Sequence, residues 1–294
     1  MCAPDRRLSF INGRDHTMST HLTPGRRHPL LEQGARLAVG ALAAFMTLTA
    51  VGCESGNATT DTLGPSDNAL SEEEREAGWQ LLFDGTSLDG WRGLGRDDIP
   101  EGHWTVESGT IRKVASGDVP TAPDGQPLEG GDIVTEETFE DFELTFQWRV
   151  REIGNSGIKY NVSEPMSVSH PPVHAALGFE YQILDDDRHP DALNGPTRMA
   201  GALYDMIPPG ERKRLEPVGA WNEARIVFDG GHGEHWLNGE LVVEFDLGTS
   251  RFDSLLSASK YAGIEGFAEA RTGHIVLQDH GDDVWFQNLK IRRL

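Results

Sequence analysis

The run Phe142–Val150, FELTFQWRV, constrains this chain more than any other stretch. Phe142, Leu144, Phe146, Trp148 and Val150 recur at every second position, with Glu143, Thr145, Gln147 and Arg149 between them. A period of two sends the two sets to opposite faces of a strand, so the segment demands a sheet with one buried face. Shorter runs of the same kind recur between turn residues. Trp104–Glu107 and Thr110–Lys113 flank Ser108 and Gly109, which is hairpin spacing. Residues 221–228 lead into residues 235–245, which turn at Asn238 and Gly239, the strongest short hairpin signal. Residues 79–83, 132–135, 157–162, 179–184, 202–206, 274–278 and 284–291 bring the total to about a dozen strands. Thirty-four glycines and sixteen prolines fit so many turns. One helix is expected, at residues 71–78, where Ser71 and Glu74 have capping-box spacing. Residues 164–177, with three prolines, read as an irregular excursion. The expectation is an all-β domain over residues 79–294, a two-sheet antiparallel jelly-roll sandwich.

The net charge of −21 is unevenly spread. Residues 1–53 carry six arginines against three acids, +3, which leaves −24 for the remainder. The mature part therefore has no basic stripe for nucleic acid, and its charge repels anionic membrane surfaces. Arg26, Arg27 and Arg36 precede an uncharged apolar run at residues 37–52 that stops at Cys53. A basic region, a short apolar region and small residues before a cleavage point make a secretory signal. Ala50, Val51 and Gly52 before Cys53 resemble a bacterial lipobox, with alanine where leucine is usual, so Cys53 is the expected lipidation site. The sixteen apolar residues are short for a membrane span, the alternative reading. The chain is thus expected to be exported, periplasmic or at the cell surface, touching the membrane through the lipid alone. Met18 is an alternative start. Residues 54–78 are expected to form a flexible tether. The only cysteines are Cys2 and Cys53, so the mature domain has no disulfide and must be held by its core.

Several strings, in order along the chain, resemble one family: LFDGTSLDGW at residues 82–91, DFELTFQWR at 141–149, GNSGIKY at 154–160, FEYQILDD at 179–186, ALYDMIPP at 202–209, WNEARIV at 221–227, HWLNG at 235–239 and HIVLQDHGDDVWFQNLKIR at 274–292. The ordered set is similar to the 3-keto-disaccharide hydrolase domain, also numbered domain of unknown function 1080. The resemblance implies a concanavalin A-like sandwich and action on glycosides already oxidised to a ketone at C3. Such a ketone acidifies the C2 hydrogen, so a base at C2 starts an elimination of the C1 substituent, and water adding back gives net hydrolysis. That route needs a base, an electrophile at the ketone oxygen and an acid for the leaving oxygen. A non-catalytic lectin-like carbohydrate-binding module is the alternative, since fold alone does not settle function. The ketone would come from a partner oxidoreductase, because no glycine-rich nucleotide fingerprint occurs here in a strand-to-helix context.

The stretch at residues 179–191, FEYQILDDDRHPD, joins a strand to a cluster of ionisable groups. Phe179, Tyr181 and Ile183 share one face, so Glu180 and Gln182 point from the other. Glu180 is the first candidate for base or metal ligand, and Gln182 for holding a sugar hydroxyl; solvated side chains are the plain alternative for both. His280 follows Asp279 and precedes Gly281, a position for an acid, base or metal ligand that Asp279 would orient; a turn histidine is the alternative. Arg149 and Lys159, on polar strand faces, are candidates for stabilising an enolate oxygen or for structural ion pairs. Asn155 contacts sugar or caps its own loop. Tyr204 joins the substrate-binding candidates through the family-like string that contains it. Asp185, His189 and Asp191, within a run that includes Asp186 and Asp187, are candidate ligands for a divalent cation, calcium or a transition metal; a solvated acidic loop is the alternative. Trp91, Trp221 and Trp236 stack on sugar rings or pack in the core.

Overall fold

The computed structural model describes residues 67–115, 130–171 and 175–294, and the signal segment with Cys53 lies outside them. The alternating runs become thirteen strands: β1 (Gln80–Leu81), β2 (Trp91–Gly93), β3 (Trp104–Glu107), β4 (Thr110–Lys113), β5 (Ile133–Thr135), β6 (Phe142–Val150), β7 (Asn155–Val162), β8 (Phe179–Leu184), β9 (Asn222–Asp229), β10 (His232–Leu237), β11 (Glu240–Asp246), β12 (His274–Leu277) and β13 (Val284–Arg293). They form two antiparallel sheets. The larger runs β11-β10-β9-β6-β13-β4-β3, with β1 also on β13, and the smaller runs β2-β5-β12-β7-β8. This is the expected two-sheet antiparallel sandwich.

The two hairpins read from turn residues are present. Ser108, Gly109, Asn238 and Gly239 all have positive φ, as a two-residue turn matching strand twist requires. Between the sheets lies one apolar core centred on the inward residues of β6 and β8. The Phe179 ring meets those of Tyr160, Phe228, Phe245, Phe252 and Phe267 at centroid distances of 5.5, 6.1, 5.6, 6.0 and 5.8 Å. His235 is wholly buried in this core, beside the Tyr160 hydroxyl at 2.9 Å and the Gly201 carbonyl at 3.2 Å, and burial drives its pKa down to about 4. It is a neutral core histidine.

Three local expectations change. The helix α1 (Glu72–Glu76) has its capping box, but residues 67–78 are not free tether. Asn68 exchanges hydrogen bonds with Asn288 at an irregularity in β13, and Glu74 pairs with Lys290 at 2.7 Å, so this stretch is held on the larger sheet. The excursion at 164–177 opens with α2 (Glu164–Ser169), capped by Ser163, and α3 (Ser250–Ala258) appears where no helix was expected. Thr249 caps α3, and Phe252 anchors it in the core against Phe179 and Phe245. A single buried ring suffices for so short a helix, and that leaves little periodicity to read. Finally, residues 202–206 form a turn rather than a strand, closed by a bridge from Leu203 to Ile207.

Candidate functional site

The outer face of the smaller sheet carries most of the candidate residues. The pairing of β7 with β8 sets Asn155 opposite Leu184, Gly157 opposite Gln182 and Lys159 opposite Glu180. Period two sends Asn155, Lys159, Glu180 and Gln182 away from the apolar core, yet all four are at most 4% exposed. Flanking segments cover them, with residues 175–177 and 260–264 lining a cavity of about 340 Å³ above Lys159 and Glu180. Strand β8 ends the sheet, but its free edge is taken up by residues 201–204. Gly201 and Tyr204 donate to the Gln182 and Glu180 carbonyls, and Gln182 donates to that of Ala202. A polar face under a roof is the setting in which a carboxylate can be aimed and kept from bulk water.

Five of the sequence candidates line one cleft: Asn155, Glu180, Gln182, Tyr204 and His280, together with Lys260 and Gln278. Glu180 and Lys260 also line the larger cavity beside it. Burial pushes the Glu180 carboxyl above its usual range; the Lys159 and Lys260 charges oppose this, and those of Asp132 and Asp191 add to it. Lys159 lies between two buried carboxylates, 3.6 Å from Asp132 and 4.0 Å from Glu180, and donates to the Ala176 carbonyl. Burial raises Asp132 as well. Tyr204 donates to Asp191 at 2.9 Å while its ring lies 4.4 Å from the Lys260 ammonium. Burial, then the nearby Glu180 and Asp191 charges, raise its phenol. The assembly offers a base, two ammonium groups and several hydroxyl partners around one small volume.

Gly157 makes room for the Glu180 carboxylate. A Cβ there would lie 2.8 Å from Glu180 Oε1 and 3.0 Å from its Cγ. Gly157→Ala is therefore expected to displace the carboxylate and lower turnover by about a hundredfold, since small misplacements of a reacting group are that costly. Turnover measured beside an unchanged circular dichroism spectrum checks this.

Other candidates fall elsewhere. Arg149 stands on the outer face of the larger sheet, its guanidinium 4.8 Å from the Trp221 ring and 4.9 Å from that of Trp285, so it does not reach the cleft residues. Both carboxylate oxygens of Asp279, which is buried, are engaged, by His103 at 2.6 Å and Lys113 at 3.0 Å. Asp282 and His189 stand beside His280. Among the described residues, Asp185, His189 and Asp191 do not form one ligand set. Asp185 accepts the Ile153 and Asp187 N–H groups and locks the loop, while Asp191 is engaged by Tyr204, Asn194 and Arg198. Trp91 is core, and Trp236 is covered by Arg225 at 4.0 Å. A larger cavity of about 600 Å³ lies on the outer face of the other sheet, but its charged lining is largely spent on ion pairs such as Glu74 with Lys290 and Arg225 with Glu143.

Comparison with known proteins gives the family. Residues 78–292 match the family described as the 3-keto-alpha-glucoside-1,2-lyase-like domain. The chain belongs to this family. It is 38% identical over 242 residues to a protein of Bacteroides thetaiotaomicron named 3-keto-disaccharide hydrolase, covering 74% of this chain and 79% of that one. A crystal structure of a glycosyl hydrolase candidate from Parabacteroides distasonis superposes with a TM-score of 0.66 at 32% identity, covering 78% of this chain and 99% of that one. A second from the same organism gives 0.54 at 27% identity, covering 74% and 99%. The family match takes in every residue of the cleft.

Sequence reasoning missed Lys260, Gln278, Asp132 and Asp282. Lys260 follows α3 in a segment with no strand pattern, and only its place in the roof brings it to Glu180. Gln278 was readable, since it continues the outward parity of His274 and Val276 at the end of β12.

Proposed function

We propose that the chain cleaves the glycosidic bond of a 3-keto-glycoside by elimination across C1 and C2, followed by hydration. Glu180 takes the C2 proton, and the electron pair passes into the C3 ketone as an enolate, stabilised by the Lys159 and Lys260 ammonium groups. The enolate collapses, the C1–O bond breaks, and the departing oxygen takes a proton from the His280 end of the cleft. Water adds to C1 and a proton returns to C2, so the products are a free 3-keto sugar and the alcohol it was bound to. Gln182, Asn155 and Tyr204 hold hydroxyl groups. The observation that carries this reading is Glu180, a roofed carboxylate above its usual pKa between two lysines. A base near its working pH is what proton abstraction from carbon needs. The names of the family and of the Bacteroides relative support the substrate class and the bond attacked.

Incubation with a 3-keto-disaccharide in D₂O is expected to release both sugars, with deuterium at C2 of the 3-keto product. Release without deuterium at C2 would count against elimination, and no release against the substrate class. The substrate itself must be supplied by an oxidoreductase acting on the C3 hydroxyl. The same proposal has the protein exported and lipid-anchored at Cys53, supported by the residues that precede that cysteine. Among the described residues no helix is long and apolar enough to cross a membrane. Incorporation of labelled palmitate in cells, expected for the native chain and absent from Cys53→Ala, tests the anchor.

A further inference from the structure

Beside the base, one ligand-type atom each from His189, His280 and Asp282 lies within 4.8 Å of the other two. The two imidazole rings meet edge to face at 5.8 Å. His280 Nδ1 and Asp282 Oδ2 are 4.0 Å apart, too far for a hydrogen bond and wider than the roughly 3.4 Å between tetrahedral ligands bound at about 2.1 Å, so a small side-chain rotation brings both onto one first-row ion. A second, independent feature lies in the cleft that His280 lines. Asn155 and Gln278, 2% and 4% exposed, each present a buried amide oxygen with no hydrogen-bond partner, and both line the cleft with His280. Buried acceptors are almost always satisfied, so two orphans in one cleft point to an electropositive ligand.

We infer that this end of the cleft is a binding site for a divalent transition-metal ion, with His189, His280 and Asp282 as its ligands and the Asn155 and Gln278 oxygens beside it. Two imidazoles and one carboxylate select a borderline ion such as Mn²⁺ or Zn²⁺ over Ca²⁺, which prefers an all-oxygen shell. Three protein ligands leave open positions. That these positions take a substrate oxygen rests on the proposed reaction; the site itself does not. The contact at His189 must give way. The Asp191 N–H donates to His189 Nδ1 at 3.1 Å, and coordination through Nε2 puts the imidazole proton on Nδ1, releasing that bond.

The other His-carboxylate cluster, His232 with Glu234 and Glu244, differs. There the imidazole is already engaged, with His232 Nδ1 2.8 Å from Asp246 Oδ1, and Glu244 is exposed.

The test is calorimetric titration of the full chain, stripped by chelator, with Mn²⁺ and Zn²⁺ and no substrate, in a His232→Ala background. One equivalent is expected to bind, about tenfold or more weakly in Asp282→Asn and in His189→Gln, with Asp191→Asn unchanged. Circular dichroism confirms that each variant is folded, and the His189 ¹⁵N resonances should switch tautomer on loading. No uptake of either ion, or uptake that Asp282→Asn and His189→Gln leave intact, overturns the site. Uptake with identical turnover of a 3-keto-disaccharide in the loaded and stripped protein upholds the site and overturns its contact with substrate. Uptake without any turnover upholds the site and counts only against the reaction.

Discussion

Glu180→Gln is expected to lower kcat on a 3-keto-glycoside by about a hundredfold to ten-thousandfold, the usual range for a lost general base. The substitution keeps the shape of the side chain and removes only its ability to take a proton. Binding of substrate should change little, because the lysines and amides proposed to hold the sugar remain. The same change is expected to leave the fold as stable as before, within about 1 kcal/mol, because a carboxylate whose pKa is raised by burial does not stabilise the native state in its ionised form. The sign follows from proton binding. Glu180 has a higher pKa folded than unfolded, so between those values the folded chain binds more protons, and its stability falls as pH rises through that window. Glu180→Gln should therefore gain stability relative to the native protein as pH increases. For the native enzyme the acid limb of kcat/KM should lie above the ordinary glutamate value of about 4.3, because the base works only when deprotonated. Full activity in Glu180→Gln, or an acid limb at or below that value, would remove Glu180 from the base role.

The neighbouring residue gives the opposite result. Phe179→Ala is expected to cost about 3–5 kcal/mol of unfolding free energy, the range for emptying a large aromatic site in a packed core. Phe179 is 1% exposed, and its ring joins β7, β9, β11, α3 and the loop at Phe267, so truncation loosens both sheets and α3. Urea unfolding should show a lower midpoint with an unchanged slope. A loss under about 1 kcal/mol would mean that the aromatic cluster repacks without it. Adjacent positions on one strand thus separate chemistry from stability: position 180 faces the cleft and position 179 the core.

Strand parity alone assigned those two roles. Alternation in FEYQIL told Glu180 from Phe179, and in FELTFQWRV it told the core set from the polar set, since a strand has only two faces. Parity also misled. Arg149 and Lys159 both point away from the core, but β6 and β7 belong to different sheets, so their outward faces lie on opposite sides of the molecule. Nothing in the local pattern of either strand records which sheet it joins.

The loop residues were less legible still. Asp185, His189 and Asp191 are close in sequence and look like a ligand set, yet two of them are consumed by local hydrogen bonds that fix the loop. The third, His189, meets His280 and Asp282 from the turn between β12 and β13, about ninety residues away in the chain. Lys260 reaches Glu180 from the segment after α3, a helix recognised only through its tertiary packing. By itself, then, the sequence determined the alternating strands, the hairpin turns, the family and the outward direction of Glu180 and Gln182, because these follow from backbone periodicity and short-range turn chemistry. Only the tertiary structure decided that this polar face is roofed, that Lys260, Gln278 and Asp282 join it, and that Arg149 does not. Those outcomes depend on sheet pairing and loop packing between residues far apart in the chain, which no local period encodes.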